Sequence, residues 1–232
     1  MTYKNIYEGK FISRPNRFIA HVEIDGKEEI CHVKNTGRCK ELLIAGCRVY
    51  LEKSDNPLRK TKYDLVAVQK NHRLINMDSQ IPNRVVEQWL KNDKPFGDGF
   101  EVFPEQKYGN SRFDFCLKSN KSDSRMYIEV KGCTLENDGV VMFPDAPTER
   151  GLKHINELIS CKEQGIAAAI LILVQMENVK YFTPNYKTHR AFGEALERAK
   201  EKGVQILCYD SIVTPESIKI GKPVEIRFEK DL

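Results

Sequence analysis

The strongest constraint on the fold comes from the run Ala167–Val174, which consists of eight consecutive apolar residues. A strand of this kind is buried on both faces, so its sheet must be covered on both sides. Two segments with helical periodicity flank the run, Thr148–Gln164 and Thr188–Lys202, and a glycine follows each of them. Since glycine commonly ends helices, the pattern predicts helix, buried strand and helix in succession.

Further elements precede and follow this unit. Asn83 is a plausible N-cap for a helix that continues to Asn92. Strands are predicted at Glu101–Tyr108, Arg112–Lys118, Arg125–Leu135 and Val204–Tyr209. Meandering strands followed by a crossover to a buried strand indicate a mixed sheet with helices on both faces, that is, an α/β (α+β) domain.

The first 80 or so residues are different, because they contain short strand patterns separated by turn signals. The five strand candidates are Gly9–Arg14, Phe18–Ile24, Glu28–Val33, Arg48–Lys53 and Tyr63–Gln69. Together with a short helix at Gly37–Ala45 they favour a small closed barrel of the OB type, and a simple hairpin meander is the alternative. We therefore predict two domains, residues 1–81 and 82–232.

Composition narrows the class of protein. Charged residues make up 30% of the chain, and no apolar run approaches the roughly 20 residues of a membrane helix. No signal sequence is visible, so we expect a cytoplasmic protein that does not bind membranes. The net charge of +4 permits nucleic-acid binding without requiring it. The seven widely spaced cysteines suggest reduced, mostly buried thiols.

The candidate catalytic residues lie on two of the predicted strands. Alternation along a strand places Asp114 on one face, with Phe113 and Phe115 packed behind it. Alternation also places Glu129 and Lys131 together on one face. If the two strands pair, an aspartate, a glutamate and a lysine converge on one patch.

These three residue types suit phosphodiester hydrolysis. Carboxylates on rigid strands can bind Mg²⁺ or Mn²⁺, and such a cation polarises phosphate oxygens and lowers the pKa of bound water. A lysine beside the cation stabilises the developing negative charge. The alternative interpretation is that Glu129 and Lys131 belong to an ordinary solvated strand face.

Four segments carry a resemblance to known proteins: His32–Arg38, Tyr108–Asp114, Ile128–Lys131 and Phe143–Gly151. The aspartate ahead of a Glu-x-Lys strand is similar to the PD-(D/E)XK nuclease superfamily. Over nearly its whole length the chain resembles the sugar fermentation stimulation protein A (SfsA) family. One departure is Phe113, which stands where the superfamily often has proline.

The resemblance implies an OB-like N-terminal barrel, a restriction-endonuclease-like C-terminal domain and DNA binding. It also implies that Asp114 and Glu129 bind the metal and that Lys131 is the catalytic lysine. Members of the superfamily often add a glutamate from the first helix, which makes Glu87 a further candidate ligand. Glu101 and Glu105 are alternative donors from the strand before Asp114.

Basic residues suggest where a nucleic acid would bind. Arg112, Arg150, Lys153 and His154 lie beside the predicted site or at the start of the following helix, where the helix dipole favours a phosphate. His154 is also an alternative metal ligand. Three cations of the barrel form a second candidate surface, namely Lys34, Arg38 and Lys40. A solvated charged surface is the alternative for both groups.

The sequence therefore predicts a nuclease that depends on Mg²⁺ or Mn²⁺ and acts on DNA, with RNA as an alternative substrate. The competing interpretation is a DNA-binding regulator that keeps a nuclease-like scaffold without turnover. A nucleotide-dependent small-molecule enzyme is disfavoured, because the chain lacks the glycine-rich phosphate-binding motifs. Strand preference, sequence specificity, cleavage mode and oligomeric state, including a homodimer, are left open.

Overall fold

A computed structural model describes residues 1–35 and 37–230. Thr36, which belongs to the His32–Arg38 motif, lies outside the described residues, as do Asp231 and Leu232. The N-terminal part contains the strands β1 (Ile6–Ser13), β2 (Ile19–Ile24), β3 (Lys27–Val33), β4 (Arg48–Lys53), β5 (Tyr63–Lys70) and β6 (Arg73–Asn76).

The second part begins with α1 (Ile81–Asn92). The elements that follow are β7 (Phe100–Tyr108), β8 (Ser111–Ser119), β9 (Arg125–Cys133), β10 (Glu136–Asn137), β11 (Val140–Phe143), α2 (Glu149–Glu163), β12 (Ala167–Val174), β13 (Tyr181–Pro184), α3 (Tyr186–Glu201), β14 (Gln205–Thr214) and β15 (Ser217–Pro223).

The N-terminal strands form a closed barrel. Their order is β3-β2-β1-β4-β5-β6, and a parallel pairing of β3 with β5 closes the ring. The prediction of an OB-like barrel is thereby confirmed, and the open hairpin meander is excluded. The predicted helix at Gly37–Ala45 is wrong, because its described residues form turns, with Leu42 and Leu43 packed into the barrel core.

The second part is built on a mixed sheet with the order β15-β14-β12-β9-β8-β7. β12 pairs in parallel with both β9 and β14, whereas β7, β8 and β9 form an antiparallel meander. The apolar run Ala167–Val174 lies inside this sheet as β12, as predicted. A small sheet of β10, β11 and β13 is added beside it.

Helices cover both faces of the six-stranded sheet, as predicted. On one face α1 packs its residues Val85, Val86 and Trp89 against Ile128 and Leu171. On the other face α2 and α3 pack side chains such as Leu158, Phe192 and Leu196 against the opposite sides of the same strands. The sheet therefore forms the middle layer of three.

The two parts of the chain share buried contacts. Tyr3 donates its backbone N–H to the carbonyl of Glu216 at 2.8 Å and packs among residues of α1. The side-chain amide of Gln175 donates to the backbone carbonyls of Asn76 and Asp78 at 3.0 and 3.1 Å. Residues 1–3 therefore pack with the second domain, although a division after residue 81 assigns them to the first.

Two further findings concern the cysteines and the membrane. Six of the seven cysteines are buried and Cys47 is partly buried, in line with the expectation of buried thiols. Among the described residues, no helix combines the length and the apolar character that crossing a membrane requires.

Candidate active site

The candidate site lies where two paired strands separate. β8 and β9 pair from Phe115 opposite Ile128 to Lys118 opposite Arg125. Beyond this point the Asp114 carboxylate takes the place of a strand partner, because its Oδ2 accepts a hydrogen bond from the backbone N–H of Val130 at 2.7 Å. The aspartate is thus held beside the residue that separates Glu129 from Lys131.

This contact also corrects the predicted arrangement of side chains on β8. Phe113 packs with the core under α2, whereas Phe115 packs with the core under α1. The two phenylalanines therefore lie on opposite faces of the sheet, and the prediction that they share one face is wrong. The side-chain to backbone bond of Asp114 interrupts the regular alternation at this position.

The second oxygen of Asp114 contacts the first helix. Asn83 donates from Nδ2 to Asp114 Oδ1 at 2.7 Å. Asn83 is therefore not the N-cap that the sequence suggested, since the helix begins at Ile81 and Gln80 occupies the cap position. Burial and the neighbouring charge of Glu129 raise the pKa of Asp114 above its usual range.

Glu129 and Lys131 extend from the same face of β9, as predicted. Lys131 Nζ donates to Glu129 Oε1 at 2.5 Å, and His154 Nδ1 of α2 lies within hydrogen-bonding distance of the same oxygen. Burial alone raises the pKa of Glu129, but the hydrogen bond from His154 and the charge of Lys131 more than reverse this and leave it lowered. Glu129 is therefore an anion held by two donors on one oxygen.

The other oxygen of Glu129 is the main indication of a cation site. Glu129 Oε2 is buried and has no hydrogen-bond partner among the described residues, and an unsatisfied buried carboxylate oxygen is costly. No group of three or more His, Cys, Asp or Glu side chains within residues 1–35 and 37–230 has an arrangement that could hold a metal ion. Two carboxylates still fit Mg²⁺ or Mn²⁺, since Mg²⁺ usually binds one or two carboxylates and completes its shell with water and substrate phosphate.

The other predicted acidic ligands are exposed or paired with a basic side chain. Glu87 is one helical turn beyond Asn83, and its carboxylate accepts from Lys91 at 2.6 Å. Glu105 is exposed and pairs with Arg112 at 3.5 Å, and Glu101 is also exposed. The residue of α1 that touches Asp114 is thus Asn83, which the sequence assigned to capping.

Four predicted nucleic-acid-binding residues line one cavity of about 530 Å³ next to Glu129: Arg112, Arg150, Lys153 and His154. Lys153 donates to the carbonyl of Asn110 at 2.9 Å, which connects the start of α2 to the turn before β8. Thr148 caps α2 by accepting from the N–H of Gly151 at 3.0 Å. The cavity combines a helix N-terminus with three cations and one carboxylate, Glu149, and this excess of positive charge suits a phosphate.

The barrel residues Lys34, Arg38 and Lys40 do not form one group. Lys34 Nζ lies 3.2 Å from Asp64 and 3.7 Å from Asp78, both of which are buried. Burial alone lowers the pKa of Lys34, but these carboxylates more than reverse this and raise it. The charge of Lys34 is therefore balanced inside the protein, whereas Arg38 and Lys40 are exposed.

Asp64 is the centre of this ion-pair cluster and yields a prediction about acid stability. Arg59 donates to both of its oxygens at 2.8 and 2.5 Å, and His32 Nδ1 lies 3.0 Å away. Burial alone raises the pKa of Asp64, but Arg59 and Lys34 more than reverse this and lower it to about 2. A carboxylate whose pKa falls this far on folding contributes about 2 kcal/mol of stability at neutral pH.

We expect Asp64→Asn to lower the free energy of unfolding by about this amount at pH 7, measured by urea denaturation. The pKa is depressed on folding, so the contribution is complete above the unfolded value near 4 and is lost as the pH falls toward 2. The difference between the wild type and the variant should therefore be about half as large at pH 3. A difference that does not change between pH 7 and pH 3 would contradict this origin.

A second prediction concerns His154, whose buried ring holds Glu129 in place. Hydrogen-bonded partners of metal-binding carboxylates typically change metal affinity by about 10–100-fold when they are removed. We expect His154→Ala to weaken the binding of Mn²⁺ by an amount in this range, measured by titration calorimetry without nucleic acid. His154→Gln keeps a donor and should recover part of the affinity; equal affinities in the two variants and the wild type would rule out the positioning role.

Comparison with known proteins shows which family the chain resembles. A family model described as the sugar fermentation stimulation protein RE domain matches residues 80–217, and one described as the SfsA N-terminal OB domain matches residues 12–77. The sugar fermentation stimulation protein homolog of Clostridium beijerinckii is 54% identical over 226 residues, which are 97% of this chain and 99% of that protein. Its counterpart in Ruminiclostridium cellulolyticum is 55% identical over 227 residues, covering 98% of this chain and 100% of that protein.

A solved structure agrees with these matches. The structure of Pyrococcus furiosus SfsA in complex with Ca²⁺ superposes with a TM-score of 0.87 at 27% sequence identity and covers 98% of both chains. The agreement extends over both the barrel and the mixed sheet. The chain belongs to the sugar fermentation stimulation protein (SfsA) family.

Proposed function

We propose that this protein is a metal-dependent nuclease that hydrolyses phosphodiester bonds of DNA, with RNA as an alternative substrate. One observation carries the proposal. Asp114, Glu129 and Lys131 meet where β8 and β9 separate, and Glu129 Oε2 is buried there without a partner among the described residues. A binding scaffold without turnover has no need for this combination of two carboxylates and one ammonium group.

A divalent cation fits the chemistry of this pair of carboxylates. Asp114 and Glu129 would hold Mg²⁺ or Mn²⁺, which supplies Lewis acidity and charge neutralisation when bound. A relative of this chain has been solved in complex with Ca²⁺, a hard cation that also prefers oxygen ligands. The raised pKa of Asp114 reflects burial and the neighbouring charge of Glu129, and the buried Oε2 of Glu129 has no hydrogen-bond partner among the described residues.

Other residues of the chain would stabilise charge, bind phosphates and position the two carboxylates. Lys131 keeps an ammonium group beside Glu129 and would stabilise the negative charge that develops on the phosphate. Arg112, Arg150 and Lys153 line the adjoining cavity and would hold neighbouring phosphates. His154 and Asn83 fix the two carboxylates rather than contact the substrate.

The direct test is incubation of the purified protein with plasmid DNA, single-stranded DNA and RNA. Each substrate is combined with Mg²⁺, Mn²⁺ or a chelator. We expect cleavage with a cation and none with the chelator, and the Asp114→Asn variant purified in parallel controls for contaminating nucleases. Binding without cleavage under all cation conditions would instead favour a DNA-binding regulator.

A further inference from the structure

A cavity on the barrel has a strongly cationic lining. Its volume is about 530 Å³, and the side chains around it include Arg14, Arg17, Arg38 and Lys40. Phe11 and Leu43, which belong to the barrel core, form an apolar wall of the same cavity. Among the described residues no carboxylate is part of the lining, although Asp145 lies next to Gly37, so positive charge predominates around the cavity.

The charges of these four residues are not balanced within the described part of the chain. None of the four forms an ion pair with a carboxylate among residues 1–35 and 37–230. Lys34 and Arg59, on the same barrel, are by contrast paired with Asp64. Four unbalanced cations around one concave surface attract an anion such as a phosphate group.

The cavity is also held in shape before any ligand binds. The guanidinium of Arg14 donates to the backbone carbonyls of Arg17, Asn35 and Arg38 at 2.8, 2.6 and 2.8 Å. One side chain thus connects three pieces of backbone around the cavity. A preformed site of this kind loses little conformational entropy when it binds.

An exposed aromatic ring lies beside the cationic cavity. Phe18 is 50% exposed, although most large apolar side chains of the barrel are buried. The guanidinium of its neighbour Arg17 lies 5.4 Å from the centre of the ring. An exposed ring next to cations is the usual arrangement for stacking a base, and the face of a base is accessible only when its strand is unpaired.

The cavity leads toward the candidate active site. Gly37 and Arg38 line it and also line a cleft of about 440 Å³ between the two domains. The far side of this cleft includes Gly132, which follows Lys131, and Thr148, the cap of α2. The cleft therefore connects the barrel cavity to the chain next to Lys131 and to the start of α2.

We propose that the barrel cavity anchors a single-stranded polynucleotide, DNA or RNA, and that the strand continues through the interdomain cleft to Asp114 and Glu129. A phosphate binds among Arg17, Arg38 and Lys40, and a base stacks on Phe18. The destination of the strand rests on the proposed nuclease function, whereas the anchoring itself needs neither a cation nor turnover. Binding and cleavage can therefore be tested separately.

The test is fluorescence anisotropy with the full chain and a chelator present throughout, so that no cleavage occurs. The probes are single-stranded DNA and RNA of about 20 nucleotides, which exceeds the roughly 4–16 nucleotides of an OB-fold site, and a blunt DNA duplex of the same length. The combined variant carries Arg17→Ala, Arg38→Ala and Lys40→Ala. Each phosphate contact on a single strand contributes about 0.7 to the slope of log affinity against log salt. Loss of three contacts should therefore make this slope shallower by about 2.

The matched control removes three exposed lysines that have no ion pair among the described residues: Lys27→Ala, Lys121→Ala and Lys219→Ala. It should retain most of the wild-type salt dependence. Phe18→Ala should weaken single-strand binding about fivefold or more, and Phe18→Trp should restore it. Arg14 is left unchanged because it holds the backbone together, and circular-dichroism melts confirm that each variant is folded.

Each outcome decides the proposal. If the cavity variant and Phe18→Ala weaken the binding of one kind of single strand, DNA or RNA, more than the other, that kind is the one that the cavity anchors. The proposal is overturned if the cavity variant behaves like the control, or if the duplex binds as tightly as the single strand and responds equally to Phe18→Ala. Failure of the nuclease proposal would look different, because single-strand binding would persist while no condition gives cleavage.

Discussion

Asp114→Asn is expected to abolish cleavage while the protein stays folded and still binds nucleic acid. The substitution keeps the size of the side chain but removes the negative charge beside Val130 and Asn83. Cation binding then depends on Glu129 alone, and the electrostatic stabilisation of the reaction is lost. We expect a decrease of about 10³-fold or more in the single-turnover rate, at the upper end of what one preorganised electrostatic group contributes.

The measurement is single-turnover cleavage of a labelled oligonucleotide with saturating Mn²⁺. Asp123→Asn is the matched control, because Asp123 is an exposed aspartate in the loop between β8 and β9. The control should cleave at the wild-type rate. Wild-type cleavage by Asp114→Asn itself would remove Asp114 from the active site and leave the proposed function without its first ligand.

The parts of the site that follow from local periodicity were predictable from the sequence. β9 is a regular strand, so the placement of Glu129 and Lys131 on one face followed from alternation alone. The apolar run of β12 indicated a sheet covered on both faces, because a strand without polar residues is buried on both sides. In both cases the pattern of neighbouring residues determines the structure.

Other features depend on residues far apart in the chain. The position of Asp114 follows from a bond to the backbone of Val130, which ends the pairing of β8 with β9. The contact between His154 and Glu129 requires α2 to pack on that face of the sheet. The short strands β10, β11 and β13 were likewise missed, since they have two to four residues each and owe their existence to one another.

The charged residues of the barrel also have partners from distant parts of the chain that the sequence does not reveal. The sequence places Lys34 near Arg38 and Lys40, and all three looked available to a nucleic acid. The structure brings Asp64 and Asp78 to Lys34 from later parts of the chain and balances its charge. A count of cations in a segment therefore overestimates its positive surface until the fold shows which carboxylates come near.

The two oxygens of the Glu129 carboxylate have different surroundings. Its Oε1 is held by Lys131 and His154, while its Oε2 is buried and has no partner in the part of the chain that the structure describes. The donors on one side fix the orientation of the group, so the free oxygen is directed consistently. The two donors differ in their surroundings, because Lys131 is partly exposed whereas His154 is buried beside Phe113.

Lys131→Met is expected to lower the rate of cleavage by about 10²-fold and to leave cation binding intact or slightly tighter. Methionine preserves much of the length of the side chain but removes the ammonium group that would stabilise the developing charge on the phosphate. A cation should bind no less well, because a positive charge 2.5 Å from Glu129 Oε1 has been removed and His154 still holds that carboxylate.

Single-turnover cleavage and titration calorimetry with Mn²⁺ separate the two roles that Lys131 could have. Lys121→Met, a change at an exposed lysine, should alter neither quantity. A lower rate with unchanged cation affinity assigns Lys131 to the chemical step. If Lys131→Met instead loses cation binding, the lysine serves to position Glu129, and the charge that stabilises the phosphate must come from Arg112, Arg150 or Lys153 in the adjoining cavity.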